Sequence, residues 1–108
     1  MTGMTYIKVA RVDEFENEKI KSLSILGKKI GVIRRDDGSF YAIEVGCKHQ
    51  GADITKGHLR NNVATCPHHK WKYNLETGEC QNHESEKLRK YDLIIVGGDI
   101  KIGLEPIV

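Results

Sequence analysis

Two short segments that each pair a cysteine with a histidine constrain the fold of this chain more than any other part of its sequence. The first reads CKH and supplies Cys47 and His49; the second reads CPHH and supplies Cys66 and His69. Thiolate and imidazole ligands together restrict a bound metal to zinc or iron, with iron–sulfur centres among the options. A metal centre built from both segments requires a fold that brings them to one point.

The arrangement of the two pairs bears on the kind of metal centre. Structural zinc sites most often pair Cys with Cys and His with His, whereas each segment here mixes the two ligand types. One Cys and one His on each loop suit a binuclear centre, in which one iron takes both thiolates and the other takes both imidazoles. A structural zinc site, or unrelated surface histidines and buried cysteines, are the alternatives.

The rest of the sequence is typical of short strands separated by turns. DDGS at residues 36–39 and GGD at residues 97–99 favour tight hairpins, because Asp and Gly tolerate the backbone of such turns. Residues 12–19 are charged and predict a single helical turn. These features predict an all-β fold, an antiparallel sandwich or a small barrel. The predicted strands are residues 5–10, 21–26, 27–35, 40–46, 62–66, 71–75, 90–97 and 100–104.

Both Cys/His segments fall where this pattern of strands is interrupted. CKHQGAD follows a predicted strand directly, and CPHHKW lies in the turn between two others. Loops held by rigid strands can present ligands to a common point, so we expect a metal-binding loop subdomain at about residues 46–75. The chain has 108 residues, which suits one domain, and we expect residues 1–108 to form it.

Composition narrows the classes of function. The net charge is +2, with 17 Lys and Arg residues interspersed among 15 Asp and Glu residues, so nothing favours nucleic-acid binding. The longest apolar runs are too short to span a bilayer, and the first residues lack the apolar segment of a signal peptide. The odd count of three cysteines argues against a disulfide framework, and we expect a cytoplasmic protein.

The chain resembles the Rieske [2Fe–2S] proteins, and among them the small soluble Rieske-type ferredoxins. The resemblance covers most of the chain and centres on CKHQGADI, CPHHKWKYNLETGEC and KYDLIIVGGDIKIGL. It is carried by the spacing of the two Cys/His segments, by Gly51 and Pro67, and by the TGE turn. It implies a Rieske-like antiparallel β-sandwich or small barrel with a cluster-binding loop subdomain.

The resemblance also implies one Rieske-type [2Fe–2S] cluster with four protein ligands. Cys47 and Cys66 would bind the inner iron, and His49 and His69 would bind the outer iron, nearest the surface. Two neutral imidazoles leave the cluster less negative than four thiolates do, and they place its potential at roughly −150 to +300 mV. Tyr73 keeps the position of a tyrosine whose hydroxyl donates to a cluster sulfur in high-potential relatives.

The sequence departs from the family pattern at several positions. Trp71 replaces a serine that donates to the cluster in high-potential relatives, so we expect a potential in the lower half of the range. Ala52 and His68 replace the two cysteines that form a disulfide between the loops in respiratory-complex relatives. Lys70 stands where ferredoxin relatives usually carry Gly, and residues 81–91 lack the proline-bearing segment that covers the cluster.

Several other side chains are interpreted as structural or surface residues. Cys80 is interpreted as a hairpin residue, and His58 and His83 as surface residues without a role. The Trp71 ring is assigned to the core. Lys72, together with Lys70, is interpreted as a solvated face, with the docking of an acidic partner as the alternative.

The resemblance implies a one-electron carrier and not an enzyme. Its partners would be a reductase and an acceptor enzyme such as an oxygenase, with no nucleic acid and no membrane. The alternative is a small redox or regulatory subunit of a larger oxidoreductase, similar to that of nitrite reductase. An independent catalytic domain is not expected, because the sequence offers no open metal position and no nucleophile–base pair.

Overall fold

The described residues form nine strands and two short 3-10 turns. A computed structural model of the protein describes residues 5–46, 53–60, 62–67, 70–84 and 86–107, and no α-helix occurs within these ranges. The 3-10 turns are Val12–Phe15 and Ile54–Lys56. The strands are β1 (Tyr6–Arg11), β2 (Ile20–Ile25), β3 (Lys28–Arg34), β4 (Phe40–Glu44), β5 (His58–Arg60), β6 (Val63–Thr65), β7 (Lys72–Asn74), β8 (Lys90–Val96) and β9 (Asp99–Pro106).

These strands form two antiparallel sheets. The large sheet has six strands in the order β1-β9-β8-β4-β3-β2 and is curled, while the small sheet has three in the order β5-β6-β7. Every pairing between the named strands is antiparallel. The predicted all-β fold is therefore confirmed. Over the described ranges, no helix is long and apolar enough to cross a membrane.

Both predicted hairpins are present. β8 and β9 pair Val96 with Asp99 across the two-residue turn Gly97–Gly98, where both glycines have positive φ, at 57° and 85°. A two-residue turn of this kind matches the twist of the flanking strands and requires positive φ at both central positions, which glycine adopts without strain. The DDGS turn joins β3 to β4, and the backbone N–H of Arg35 donates to the Ser39 carbonyl at 2.7 Å.

Two short elements were not predicted. They are β5 and the second 3-10 turn, which together occupy residues 54–60. All three residues of β5 are exposed, and three residues are too few for an alternation of apolar and polar side chains to be recognised. A strand of this kind is defined by its hydrogen bonds to β6 and not by its composition, and periodicity could not have revealed it.

One apolar core joins the two sheets. It combines buried side chains of β3 and β4 with buried side chains of β6 and β7, and the second 3-10 turn contributes to it as well. Because both sheets bury residues in the same cluster, the small sheet is held firmly against the large one. The buried members are Ile33, Ile43, Val45, Ile54, Ala64, Cys66, Tyr73, Leu75 and Leu88.

An ion pair at the surface adds a second link between the sheets. The Arg35 guanidinium, just after β3, donates from Nε and Nη2 to the two carboxylate oxygens of Glu76, just after β7, at 2.8 and 3.1 Å. The same guanidinium lies over the Tyr41 ring, 4.2 Å from its centroid. A bidentate geometry is more specific than a single contact, so this pair helps to fix the orientation of the small sheet.

The second 3-10 turn packs very closely against the end of β6. At Gly57, which caps this turn, a Cβ atom would lie 1.8 Å from the carbonyl oxygen of Thr65 and 3.1 Å from Cδ of Pro67. Only a residue without a side chain fits at this distance. The φ of Gly57 is −90°, so close approach and not backbone conformation requires the glycine.

Replacing Gly57 with Ala should therefore destabilise the protein. We expect the free energy of unfolding to fall by about 3 kcal/mol, because a backbone carbonyl has to move to admit the methyl group. Urea unfolding measures the change. Lys56→Ala is the matched control: its side chain is exposed, and we expect an effect within about 0.5 kcal/mol. Equal stabilities of the two variants would show that the turn and β6 are not held in contact.

Candidate metal centre

Of the four predicted ligands, Cys66 lies within the described residues. Cys47, His49 and His69 lie outside them, as do Gly51, Ala52 and His68, so their predicted roles stay predictions. The backbone on either side of these residues is described. It shows how the bases of the first loop (residues 47–52) and the second loop (residues 66–70) are held.

Backbone hydrogen bonds close the base of the first loop. Gly46 and Asp53 form an antiparallel bridge across it. One step further from the loop, the backbone N–H of Ile54 donates to the Val45 carbonyl at 2.9 Å. Cys47 and His49 are therefore carried on a loop whose two ends are adjacent.

The Asp53 carboxylate anchors this base to neighbouring elements. One oxygen accepts hydrogen bonds from the Thr55 backbone N–H and hydroxyl, at 2.9 and 2.6 Å, and so caps the second 3-10 turn. The other oxygen accepts from the Ser22 hydroxyl on β2. Burial alone would raise the pKa of Asp53, but the hydrogen bonds from Ser22 and Thr55 outweigh it and the pKa lies below its usual value. The carboxylate therefore stays charged and joins the loop to the large sheet.

The second loop is closed in a similar way. It connects β6 to β7, as predicted, and the backbone N–H of Cys66 donates to the Trp71 carbonyl at 2.7 Å. The backbone N–H of Lys70 in turn donates to the Cys66 carbonyl at 3.1 Å. Lys70 has a φ of +62°, in the left-handed region where glycine is normally favoured. That conformation gives a physical reason for the glycine expected at this position.

Cys66 lies at the buried end of its loop. Its exposed fraction is 1%, whereas Pro67 and Lys70 further along the loop are exposed. Cys66 also shares the apolar core with Val45 and Ile54, which flank the first loop. The two loop bases are therefore neighbours, and a thiol at this position is shielded from water.

Asn82 binds the backbone on the β7 side of the second loop. Its side-chain oxygen accepts a hydrogen bond from the Lys72 backbone N–H at 3.0 Å, and its side-chain nitrogen donates to the Lys70 carbonyl at 2.9 Å. The backbone N–H of Gln81 also donates to the Lys72 carbonyl, at 2.7 Å. The Asn82 side chain thus provides partners for the Lys70 carbonyl and the Lys72 N–H, which would otherwise bond to water.

The ring of His83 covers Trp71. The two rings are stacked, with centroids 4.3 Å apart and planes 17° from parallel. His83 is exposed, as predicted, and its ring also shields one face of the indole. Trp71 is half-buried against the core, so its assignment to the core holds for part of the ring. Residues 82 and 83 thus contact residues 70–72, at the β7 end of the second loop, without a proline.

Comparison with a protein-family model decides the family. The model of the Rieske [2Fe–2S] domain matches residues 5–92, which include both loops and most of the two sheets. The chain belongs to the Rieske [2Fe–2S] domain family. The predicted family and cofactor, a single Rieske-type [2Fe–2S] cluster, are confirmed.

Individual relatives agree with this assignment. The ferredoxin component of an alkene monooxygenase system from Xanthobacter autotrophicus is 28% identical over 103 residues, or 94% of this chain and 84% of the relative. Cholesterol 7-desaturase from Caenorhabditis elegans is 32% identical over 74 residues, but the match covers 67% of this chain and 17% of that enzyme. The solved ferredoxin of carbazole 1,9a-dioxygenase from Nocardioides aromaticivorans superposes with a TM-score of 0.77 at 25% identity, covering 94% of this chain and 99% of that one.

The described part of the site fits a Rieske cluster. The family requires a thiolate from each loop, and the sulfur of Cys66, a predicted ligand, lies at the inner, water-shielded end of the second loop. The first loop begins at Cys47, directly after the bridged residue Gly46, so both cysteines stand at the first position of their loops. Because the bases of both loops are fixed and pack in one core, they suit a metal centre that takes ligands from both loops.

Three residues that support the site were missed by the sequence analysis. Asp53 had a recognisable signal, since an Asp two residues before a Thr at the start of a turn commonly accepts hydrogen bonds from it. Gly57 had none, because its role follows from the distance to Thr65. Asn82 also had none, since nothing local relates it to Lys70 and Lys72, more than nine residues earlier in the chain.

Replacing Asn82 with Ala should loosen the second loop. Each hydrogen bond contributes about 1 kcal/mol, so we expect the Lys72 amide to exchange with solvent roughly tenfold faster, as measured by hydrogen-exchange NMR. Gln81→Ala is the control, because Gln81 contacts the loop through its backbone N–H, which the substitution keeps. An unchanged exchange rate in Asn82→Ala would show that the amide does not hold the loop.

Proposed function

We propose that the chain is a one-electron carrier that uses Cys47, His49, Cys66 and His69 to hold its cluster, the cysteines on one iron and the histidines on the other. A Rieske cluster, when bound, supplies reversible one-electron chemistry. The observation that carries the ligand assignment is the buried position of Cys66 at the base of a loop closed by its own backbone. The order of residues then assigns His69 to the outer part of the same loop.

The first loop supports the same division of roles. Cys47 follows the bridged residue Gly46, whose partner Asp53 is tied to β2, and His49 lies further along the loop. In each loop the cysteine therefore precedes the histidine and stands closer to the fixed base. Histidines on the outer iron place the route for the electron at the surface, where another protein can approach.

The names of the relatives support the choice of partners. The chain spans most of a ferredoxin component of a monooxygenase system and nearly all of a dioxygenase ferredoxin. We infer that it receives electrons from a reductase and delivers them to an oxygenase, and that it works as one domain with its cluster-binding segment at about residues 46–75.

A cytoplasmic location is also proposed. Cys66 and Cys80 are both unbridged, as a reducing compartment allows.

Replacing the ligands tests the assignment. Purified anaerobically, the protein should contain two irons and two sulfides, and its reduced form should give a Rieske-type electron paramagnetic resonance spectrum. Cys47→Ser and Cys66→Ser should lose the cluster, and His49→Cys and His69→Cys should lose it or change its spectrum. Cys80→Ser is the control, because Cys80 pairs with Tyr73 through its backbone, and should keep both. An unchanged spectrum in a ligand variant would remove that residue from the set.

Replacing Tyr73 with Phe tests the tuning of the potential. Tyr73 is buried in the core that also contains Cys66, so we infer that its hydroxyl donates to a cluster sulfur. Such a donor stabilises the more negative, reduced state, and its removal should lower the reduction potential by several tens of millivolts, about 59 mV being a tenfold change for one electron. Protein-film voltammetry measures the shift. A potential that stays constant or rises would make Tyr73 a core ring only.

A further inference from the structure

Exposed basic side chains lie around the second loop and on the outer surface of the small sheet. Lys70 belongs to the loop and Lys72 follows it on β7, while Lys56 ends the second 3-10 turn. His58 and Arg60 belong to β5. All five side chains are exposed. We call these five residues the basic face.

Strand register puts the members of the small sheet on one side. His58 lies opposite Thr65, and Thr65 lies opposite Lys72, so these three form a row across the sheet next to the second loop. Side chains alternate between the faces of a sheet, and the adjacent row contains the buried residues Ala64 and Tyr73. The row beside the loop therefore faces away from the core.

The next outward row repeats the pattern. Arg60 lies opposite Val63, and Val63 lies opposite Asn74. Arg60 is thus two residues from His58 on the same face. The basic face consequently extends from the second loop across the outer surface of the small sheet.

Within the described ranges, several cations of the large sheet are paired with carboxylates, whereas three of those beside the second loop are not. On the large sheet and its turns, Lys8, Arg11 and Lys19 form ion pairs with Asp99, Asp13 and Asp36. Arg60, Lys70 and Lys72 form no ion pair with any residue that the structure describes. Their positive charges are not neutralised locally.

Acidic side chains near the small sheet do not offset this charge. Asp53 accepts hydrogen bonds from Ser22 and Thr55, and Glu76 is held by Arg35. Glu79 is exposed beside Asn74, at the end of the sheet away from the second loop. Glu84 and Glu86 are also exposed, in the segment after His83, where Lys87 and Arg89 match them in number. Over the described residues, the surface beside the second loop therefore carries an excess of basic side chains, although the chain as a whole has a net charge of only +2.

We propose that the basic face is the docking surface for an acidic patch on the electron-transfer partner, an inference that rests on the proposed function. Arg60, Lys70 and Lys72 supply the unpaired charge, and the small sheet supplies a rigid platform for it. Charge of one sign around an electron-transfer site raises the encounter rate with an oppositely charged surface and orients it. Docking here places the partner beside the second loop, which carries His69.

The electrostatic field of the basic face can be mapped with an anionic NMR probe, without electron transfer. Hexacyanochromate(III) is a redox-inert paramagnetic trianion that broadens the NMR signals of residues near which it resides. With the oxidised protein at low ionic strength, we expect broadening along β5 and β7, which disappears near 150 mM salt as the Debye length shrinks to about 8 Å. Broadening confined to the large sheet would overturn the proposal.

Electron transfer to oppositely charged small oxidants gives the second test. The reduced protein should transfer electrons to hexacyanoferrate(III) at a rate that falls as ionic strength rises, and to the tris(phenanthroline)cobalt(III) cation at a rate that increases. Lys72→Glu and Arg60→Glu should each slow the reaction with the anion roughly threefold to tenfold at low salt. Lys101→Glu is the matched control. Lys101 lies on β9, separated from β4 by β8, and its reversal should change the rate little.

The outcomes separate this inference from the function on which it rests. Equal effects of Lys72→Glu and Lys101→Glu would show that only net charge matters and would overturn the docking surface, as would rates independent of salt for both oxidants. A protein that holds its cluster but reduces neither oxidant would instead overturn the proposed carrier function. Lys72→Gln removes a single charge and should give about half of the logarithmic effect of Lys72→Glu. If Lys72→Glu fails to fold, Lys72→Gln and Arg60→Glu still test the docking surface.

Discussion

The apolar core shared by the two sheets is the constraint on which the rest of this structure depends. Cys66 and Tyr73 of the small-sheet region pack in it with Ile43 and Val45 of the large-sheet region. These contacts fix the distance between two loops that are far apart in sequence. Without them the small sheet, with strands of three residues, would have too little buried surface to hold a defined position.

Polar contacts complete what the core begins. Asp53 ties the base of the first loop to β2, and Asn82 binds the backbone on the β7 side of the second loop. Both residues satisfy backbone or hydroxyl groups close to the site, so they help to fix the bases of the two loops. A metal centre benefits from such support, because ligands held in place bind with less loss of conformational freedom.

The segment after β7 shows that support for the second loop can come from residues other than proline. The segment after β7 has no proline, yet Asn82 bonds to the loop backbone and His83 stacks on Trp71. Lys70 adopts a left-handed conformation that would suit glycine, and Asn82 helps to hold it by donating to the Lys70 carbonyl and accepting from the Lys72 backbone N–H. The departures from the family pattern at residue 70 and at residues 82–83 are therefore linked, because Asn82 bonds to Lys70.

The sequence by itself determined the family, the cofactor and the all-β class, because those depend on local signals. Two Cys/His segments, a Pro after the second cysteine and two Gly-containing turns are recognisable without knowledge of their surroundings. The tertiary structure alone decided the existence of β5, the need for glycine at residue 57, and the contacts of Asn82 and His83. It also decided that His58, Arg60 and Lys72 share one face, since strand register and not sequence spacing aligns Lys72 with His58. The physical reason is common to all four: each depends on atoms of a second segment of the chain, and a pattern within one segment carries no information about them.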